Sequence, residues 1–338
     1  MQRNDQEEAP ALTREYVEAS RSRDAAKVCT PGSEARFGAD ISAPTCGFTL
    51  HILASGSKGN AAIVRHKDTA ILIDCGITKR AFFERCEAVD FDPTTLSAIV
   101  VTHEHGDHTK GLGVLVRGLA KLEVHPALYT TAAIHQASKQ LREIEPLVSL
   151  QHICARDDFS VEGVRILSFP TSHDSVESMG FRFEAPYVGN PPHSKTDAIS
   201  QALPQAPARF LSAATTTDTL GYVTDTGFLT DEAQALLQDC RILALESNHD
   251  SHMLEIGPYP TALKRRVSGD TGHLSNDQAA AALEALLSNQ LEQVAGMHLS
   301  ETNNLPRCCE AALAGILARN NHPACVWPAS QHRPLTLK

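Results

Sequence analysis

The sequence predicts an α/β fold in which two β-sheets pack face to face with helices outside. Three observations carry this. A rhythm of strands followed by strands alternating with helices occurs twice, once in each half of the chain. Strands with helices packed on one side bury both faces only in such a layered arrangement. Polar residues of metal-ligand type recur just past the ends of successive apolar strands, where open sheets place their sites.

Length and composition set the outer bounds. The 338 residues suffice for one large domain or two ordinary ones, and 42% hydrophobic residues supply a sizeable core. A net charge of −10 argues against a generic nucleic-acid coat protein. It leaves room for a site whose acidity is offset by bound dications or a local basic patch. Nine cysteines without a CxxC pair, Cys308 and Cys309 adjacent, read as reduced and mostly buried thiols. The start Met1–Glu8 has no apolar signal core, and no apolar run approaches membrane-spanning length. A soluble cytoplasmic protein is expected, with no membrane partner and with self-association left open.

Residues 1–46 mix charges with Ser, Ala, Pro and Gly without sustained periodicity, and are expected to be a disordered extension. Residues 47–338 are expected to form the folded domain. Order begins with the strand Phe48–Ala54 and the loop Ser55–Asn60, whose glycines permit positive φ and close backbone approach. Strands Ala61–His66 and Ala70–Asp74 follow. Asp74 closes an apolar run before Cys75-Gly76, where a carboxylate either steadies neighbouring site residues or makes an ordinary turn. A helix over Lys79–Ala88 leads to the strand Leu96–Val101.

That strand runs into Thr102-His103-Glu104-His105-Gly106-Asp107-His108. Imidazole and carboxylate together suit zinc, manganese or iron. His103 and His105 stand two apart, so on extended backbone they point the same way and can share one ion. Gly106 lets the chain turn, aiming Asp107 and His108 at a second ion close by. Four ligands cannot close two coordination spheres, so further ligands are expected downstream.

The pattern then predicts a helix over Thr109–Ala120, weakened at its start by Gly111 and Gly113. Strands are expected at Glu123–Leu128 and Leu147–Ile153 around a helix over Ala132–Glu143, and one strand over Val161–Phe169 that ends before His173. Met179–Glu184 alternates apolar and polar as a half-buried strand should. Residues 185–218 break the pattern with Pro191-Pro192 and few large apolar side chains, which predicts a disordered insertion. Its flanks, Phe181–Phe183 and Leu220–Val223, are expected to pair as an interrupted hairpin.

Leu220–Val223 leads to Asp225, a helix over Asp231–Asp239 follows, and the strand Arg241–Leu245 runs into Glu246-Ser247-Asn248-His249-Asp250. A short basic helix carries Lys264-Arg265-Arg266. Ser275 and Gln278 form a capping-box pattern opening a helix over Asn276–Leu287, so His273 stands just before a helix N-terminus, whose dipole favours anions. The strand Gln293–Met297 ends at His298; a helix over Leu305–Arg319 and a final strand Ala324–Trp327 complete the chain.

Asp74, His103-x-His105-x-Asp107-His108, His173, Asp225 and His298 resemble, in order, the five motifs of the metallo-β-lactamase superfamily, across roughly residues 48–328. The resemblance implies an αββα sandwich with a dinuclear site of two divalent ions, Zn²⁺ or Mn²⁺. By that analogy His103, His105 and His173 hold one ion, Asp107, His108 and His298 hold the other, and Asp225 bridges them. Asp74 would orient ligands from behind. Leu53–Asn60, Val223–Gly227, Glu246–Asp250 and Gly272-His273-Leu274-Ser275 together look like the WalJ group, also called YycJ or VicX, which is linked to DNA exonuclease activity. The Gly-His-x-Ser element also resembles one in tRNA 3′-processing endonucleases.

The resemblance implies a hydrolase that attacks a phosphodiester with a metal-bridging hydroxide, on nucleic acid, DNA rather than RNA. Asp107 would guide the hydroxide's proton. His273 would protonate the leaving oxygen or bind a phosphate oxygen, and His249 would orient His273 or contact phosphate. Lys264, Arg265 and Arg266 are candidates to grip the backbone; the alternative is a solvated helix face. The competing readings are hydrolysis of a small ester, lactone or thioester, and a metal-bound accessory protein of a two-component signalling system.

Overall fold

Most of the strands read as near-continuous apolar runs because both faces of each sheet are covered. The computed structural model describes residues 47–187 and 217–338. The expected extension at 1–46 and most of the expected insertion at 185–218 lie outside the described residues.

One seven-stranded sheet has the order β14-β1-β2-β3-β4-β5-β6. Its strands are β1 (Thr49–Ala54), β2 (Ala61–His66), β3 (Thr69–Ile73), β4 (Ala98–Val100), β5 (Ala127–Thr130), β6 (Ser149–His152) and β14 (Leu335–Leu337). The second has the order β13-β12-β11-β10-β9-β8-β7. It comprises β7 (Asp158–Val161), β8 (Val164–Pro170), β9 (Met179–Pro186), β10 (Thr217–Val223), β11 (Ile242–Glu246), β12 (Gln293–Met297) and β13 (Cys325–Pro328). In each sheet antiparallel strands come first, and parallel strands joined through helices follow. This is the duplicated rhythm of the sequence made spatial.

Helices α1 (Lys79–Ala88), α2 (Gly106–Thr109), α3 (Leu112–Ala120), α4 (Ala132–Ala137) and α5 (Lys139–Ile144) belong to the first half. The second half carries α6 (Asp231–Leu237), α7 (Ser251–Ile256), α8 (Thr261–Val267), α9 (Asn276–Ala285) and α10 (Pro306–Arg319). The period-two alternation of strands sorts the core. On β11, Ile242 and Ala244 join the cluster between the sheets, whereas Leu243 and Leu245 join Leu283 of α9 and Leu313 of α10 on the outer face. Leu220 and Tyr222 of β10 and Ala295 and Met297 of β12 likewise face inward. The layers are therefore helix, sheet, sheet, helix.

Several expectations need correction. The single strand expected over Val161–Phe169 is a hairpin, β7 with β8, turning at Glu162 (φ 45°) and Gly163 (φ 87°). Positive φ at both central residues is the turn type that matches strand twist. The helix expected over Ala132–Glu143 breaks at Ser138, which leaves helical geometry and caps α5 through its hydroxyl. Ala324–Trp327 is not the last strand: β14 pairs with β1, Leu50 opposite Leu337. The expected hairpin across the insertion is present, with Leu220 opposite Phe183 and Thr217 opposite Pro186.

The sheets are also tied at the end remote from the strand C-termini. Arg241 donates from Nε and Nη2 to the two carboxylate oxygens of Asp218 (2.7 and 2.8 Å) and from Nη2 to the Phe48 carbonyl (2.9 Å). The Phe48 N–H in turn donates to Asp218. Asp218 is 3% exposed, so the pair links the start of β1 to β10 and β11 across the core. Asp218→Ala strands a buried guanidinium and is expected to cost about 3–5 kcal/mol, read from the urea midpoint; a loss within experimental error would show that the pair is not a clamp.

Candidate metal centre

The C-terminal ends of β3, β4, β8, β10, β11 and β12 converge, and a polar side chain emerges from each. Asp74, His103, His108, Asp225, Glu246 and His298 are all at most 2% exposed. Such burial of titratable groups is stable only where each is paired, hydrogen-bonded or coordinated.

Three loops from the first half interlock to hold the His103–His108 segment. The Asn60 N–H donates to the Asp107 carbonyl, Cys75 N–H to the His108 carbonyl, and Gly76 N–H to the Asn60 carbonyl, each at 2.8 Å. A Cβ on Gly76 would lie 1.6 Å from the Asp107 carbonyl oxygen, so only glycine permits this approach. The loop Ser55–Asn60 also reaches the second half, where Ser55 Oγ accepts the His298 N–H at 2.7 Å.

The donors fall into overlapping groups whose ligand atoms lie within 4.8 Å of one another: His103, His105 and His173; Asp107, His108 and His298; His103, His108 and Asp225; and Asp225, Glu246, His273 and His298. His105 Nδ1 and His173 Nε2 are 3.2 Å apart. Asp225 stands between the first two groups. Its Oδ2 lies 3.3 Å from His108 Nε2, and its Oδ1 lies 3.4 Å from His298 Nδ1 and 3.9 Å from His173 Nε2.

Hydrogen bonds to carboxylates set the imidazoles. His108 Nδ1 donates to Asp74 Oδ2 at 2.7 Å, and Asp74 also accepts the Thr102 N–H and hydroxyl (2.8 and 2.7 Å). Asp74 thus touches the ligand loop from behind. His298 Nδ1 and His273 Nδ1 lie 3.1 and 2.8 Å from Glu246 Oε1, while Glu246 Oε2 accepts the N–H groups of Thr226 and Leu274 (2.8 and 3.3 Å). Carboxylates behind imidazoles fix the tautomer and leave the other ring nitrogen as a donor to a metal. His108 Nε2 faces the Asn60 Nδ2 amide at 3.0 Å.

Electrostatics follow from burial against mutual pairing. Burial would raise Asp107, but the neighbouring His298, 3.7 Å away, and the charge of His108 outweigh this and hold it at about 2. Burial likewise opposes ionisation of Glu246, and His273 and His298 bring it down to about 2. Asp225 is held well below the usual carboxylate range by His298 and His108 despite its burial. Burial alone would lower His298; Asp225, Asp107 and Glu246 raise it to about 10. His103 goes the other way, lowered well below the usual range by burial and by its imidazole neighbours.

His273 sits at the mouth, its side chain 18% exposed, with its ring 5.1 Å from that of His173 and 5.0 Å from that of His298. Glu246 engages Nδ1, so Nε2 is the ring nitrogen left for a ligand. The capping box of α9 is present as expected. The N–H groups of Leu274, Ser275, Asn276 and Gln278 are already engaged by Glu246, Gln278, His249 and Ser275, so they are not free donors for an anion.

The remaining expected residues separate. Arg266 reaches the rim, donating to Asp174 beside His173. Lys264 donates to the Glu255 carbonyl. His249 belongs to none of the donor groups; burial pushes it down to about 4, and it lines a separate cleft with Lys264 and Arg265. Glu246 was not among the expected site residues, although it ends the apolar run of β11 as Asp74 follows that of β3.

This fold and donor set define a metal-dependent hydrolase. The chain belongs to the metallo-β-lactamase superfamily: the family model for the β-lactamase superfamily domain matches residues 69–298. It is 30% identical over 274 residues to the exodeoxyribonuclease WalJ of Streptococcus pneumoniae, covering 81% of this chain and 89% of that one. Its identity to the exodeoxyribonuclease YycJ of Bacillus anthracis is 28% over 272 residues, 80% and 89% of the two chains. The metallo-β-lactamase fold protein YhfI from Bacillus subtilis superposes with a TM-score of 0.58 at 13% identity, covering 86% of this chain and 100% of that one.

The fold implies divalent metal ions, and the residues present fit them. His103 Nε2 and His298 Nε2 are buried without a hydrogen-bond partner, each within a group of donors close enough to share a cation. Glu246→Ala is expected to weaken metal affinity by about 10–100-fold, measured by competition with a chromogenic chelator. An unchanged affinity would show that Glu246 does not orient His298 for a metal.

Proposed function

We propose that this protein is a two-metal phosphodiesterase that degrades nucleic acid, DNA rather than RNA, as an exonuclease. The observation that carries this reading is His273, an imidazole held by Glu246 at the mouth of a donor cluster that already has enough ligands for two ions without it. The names of the two curated relatives, which match along most of their length, point the same way.

In this reading His103, His105 and His173 would hold one ion, Asp107, His108 and His298 would hold the other, and Asp225 would serve both. Bound there, Zn²⁺ or Mn²⁺ would acidify a water at neutral pH and balance charge on the phosphoryl oxygens. The chain's own residues do the rest. Asp74 keeps the His108 Nδ1 proton in place, so Nε2 faces the site. Asp107, part-exposed and ionised, accepts the proton of the attacking water.

His273 donates from Nε2 to the departing alkoxide while Glu246 holds Nδ1 and so orients the ring. Arg266, anchored on Asp174 at the rim, adds a positive charge near the scissile phosphate. The loop bearing Gly227, whose N–H donates to the Ser172 carbonyl, keeps Asp225 and His173 at fixed separation.

Purified protein supplied with Mn²⁺ or Zn²⁺ is expected to shorten end-labelled DNA faster than RNA, and to leave a thioester intact. A thioester-only result would overturn the reading. His273→Ala is expected to keep metal content near wild type while nuclease activity falls by about 10²–10⁴-fold; loss of metal would refute the proton-donor role.

A further inference from the structure

A cleft of about 440 Å³ lies beside the metal centre, lined among others by His249, Lys264, Arg265, Ser268, Ser275 and Gln278. Its size is that of a small-ligand site. None of the clustered metal-type donors lines it.

His249 is 2% exposed, its Nδ1 is buried without a partner, and neither ring nitrogen makes a hydrogen bond among the described residues. A buried polar side chain left unpaired on a cleft wall calls for a ligand or a water. The other polar groups converge on the same space. Ser275 Oγ accepts the Gln278 N–H, which leaves its own proton to donate. Lys264 contacts only a backbone carbonyl, and no carboxylate pairs with Arg265 among the described residues. Glu255 is the one acidic residue on the wall. In a chain of net charge −10, two cations without carboxylate partners at one cleft select an anion.

The cleft is also connected to the centre. His249 follows Glu246 by three residues and Ser275 follows His273 by two, and a parallel bridge joins His249 to Ser275. Helix α8 sends Arg266 to the rim of the centre and Lys264 and Arg265 to the cleft. Two or three residues of extended chain span about 7–10 Å, so the cleft and the centre lie within reach of one strand.

We propose that this cleft is a second phosphate subsite, which holds a strand phosphate next to the bond cleaved at the metal centre. Lys264 and Arg265 balance its charge, and His249 and Ser275 donate to its oxygens. The proposal rests on the phosphodiesterase reading and adds where the strand runs.

The test compares the metal-loaded full chain with its Lys264→Ala/Arg265→Ala double variant. The substrates are a single-stranded DNA 12-mer and bis(p-nitrophenyl) phosphate, a diester too short to reach the cleft. The ratio of kcat/KM, 12-mer over short diester, is expected to fall by about tenfold or more on loss of two phosphate contacts. Binding of the 12-mer, measured by anisotropy on the His273→Ala background, is expected to lose about 0.7 from its slope against log salt. An unchanged ratio or an unchanged slope overturns the subsite. If the wild-type chain cleaves neither substrate the phosphodiesterase reading fails, and the salt slope alone then judges the cleft.

Discussion

Carboxylate-to-imidazole hydrogen bonds are the interactions on which the site depends. Asp74 holds His108, and Glu246 holds both His298 and His273, in each case through Nδ1. At Glu246 these contacts outweigh the burial that would otherwise favour its protonated form. They also choose which ring nitrogen faces the centre, a choice that hydrogen-bonding geometry makes and ring position alone does not. Because Glu246 serves two imidazoles, it couples a candidate ligand, His298, to the candidate proton donor, His273.

The backbone bears part of the cost. Asp74, Asp225 and His298 all have left-handed φ, at 57°, 55° and 56°. Each leaves a strand by turning sharply so that its side chain points across the gap between the sheets. Non-glycine residues in this region cost about 1–3 kcal/mol each and persist only where the surroundings over-determine them. Here the surroundings are two seven-stranded sheets with covered faces, clamped at the other end by Arg241 and Asp218.

Much of this was legible in the sequence. The strand ends announced themselves because apolar runs buried on both faces stop abruptly at Asp74, His103, Asp225 and His298. The capping box at Ser275 and Gln278 read directly, since its geometry is local. What did not read was non-local or masked. The β7–β8 turn is a single Glu162-Gly163 pair between short alternating segments, and β14 gains its pairing from the edge of β1. Glu246 was legible only within the Glu246–Asp250 segment and without a role, because that role depends on His273 and His298, distant in sequence, both meeting its Oε1. His249 and the basic run were legible as interesting side chains. Which of two neighbouring spaces they face was not, because that depends on how α8 packs; Arg266 goes to one and Lys264 with Arg265 to the other.

The central claim is that the joined strand ends hold two divalent ions and that Asp225 serves both. Metal stoichiometry tests it most directly. Full-length protein loaded with Zn²⁺ or Mn²⁺, desalted and assayed by inductively coupled plasma mass spectrometry, is expected to carry two ions per chain. The Asp225→Ala variant is expected to carry at most one. A wild-type chain that saturates at a single ion, or a variant that still holds two, would contradict the account.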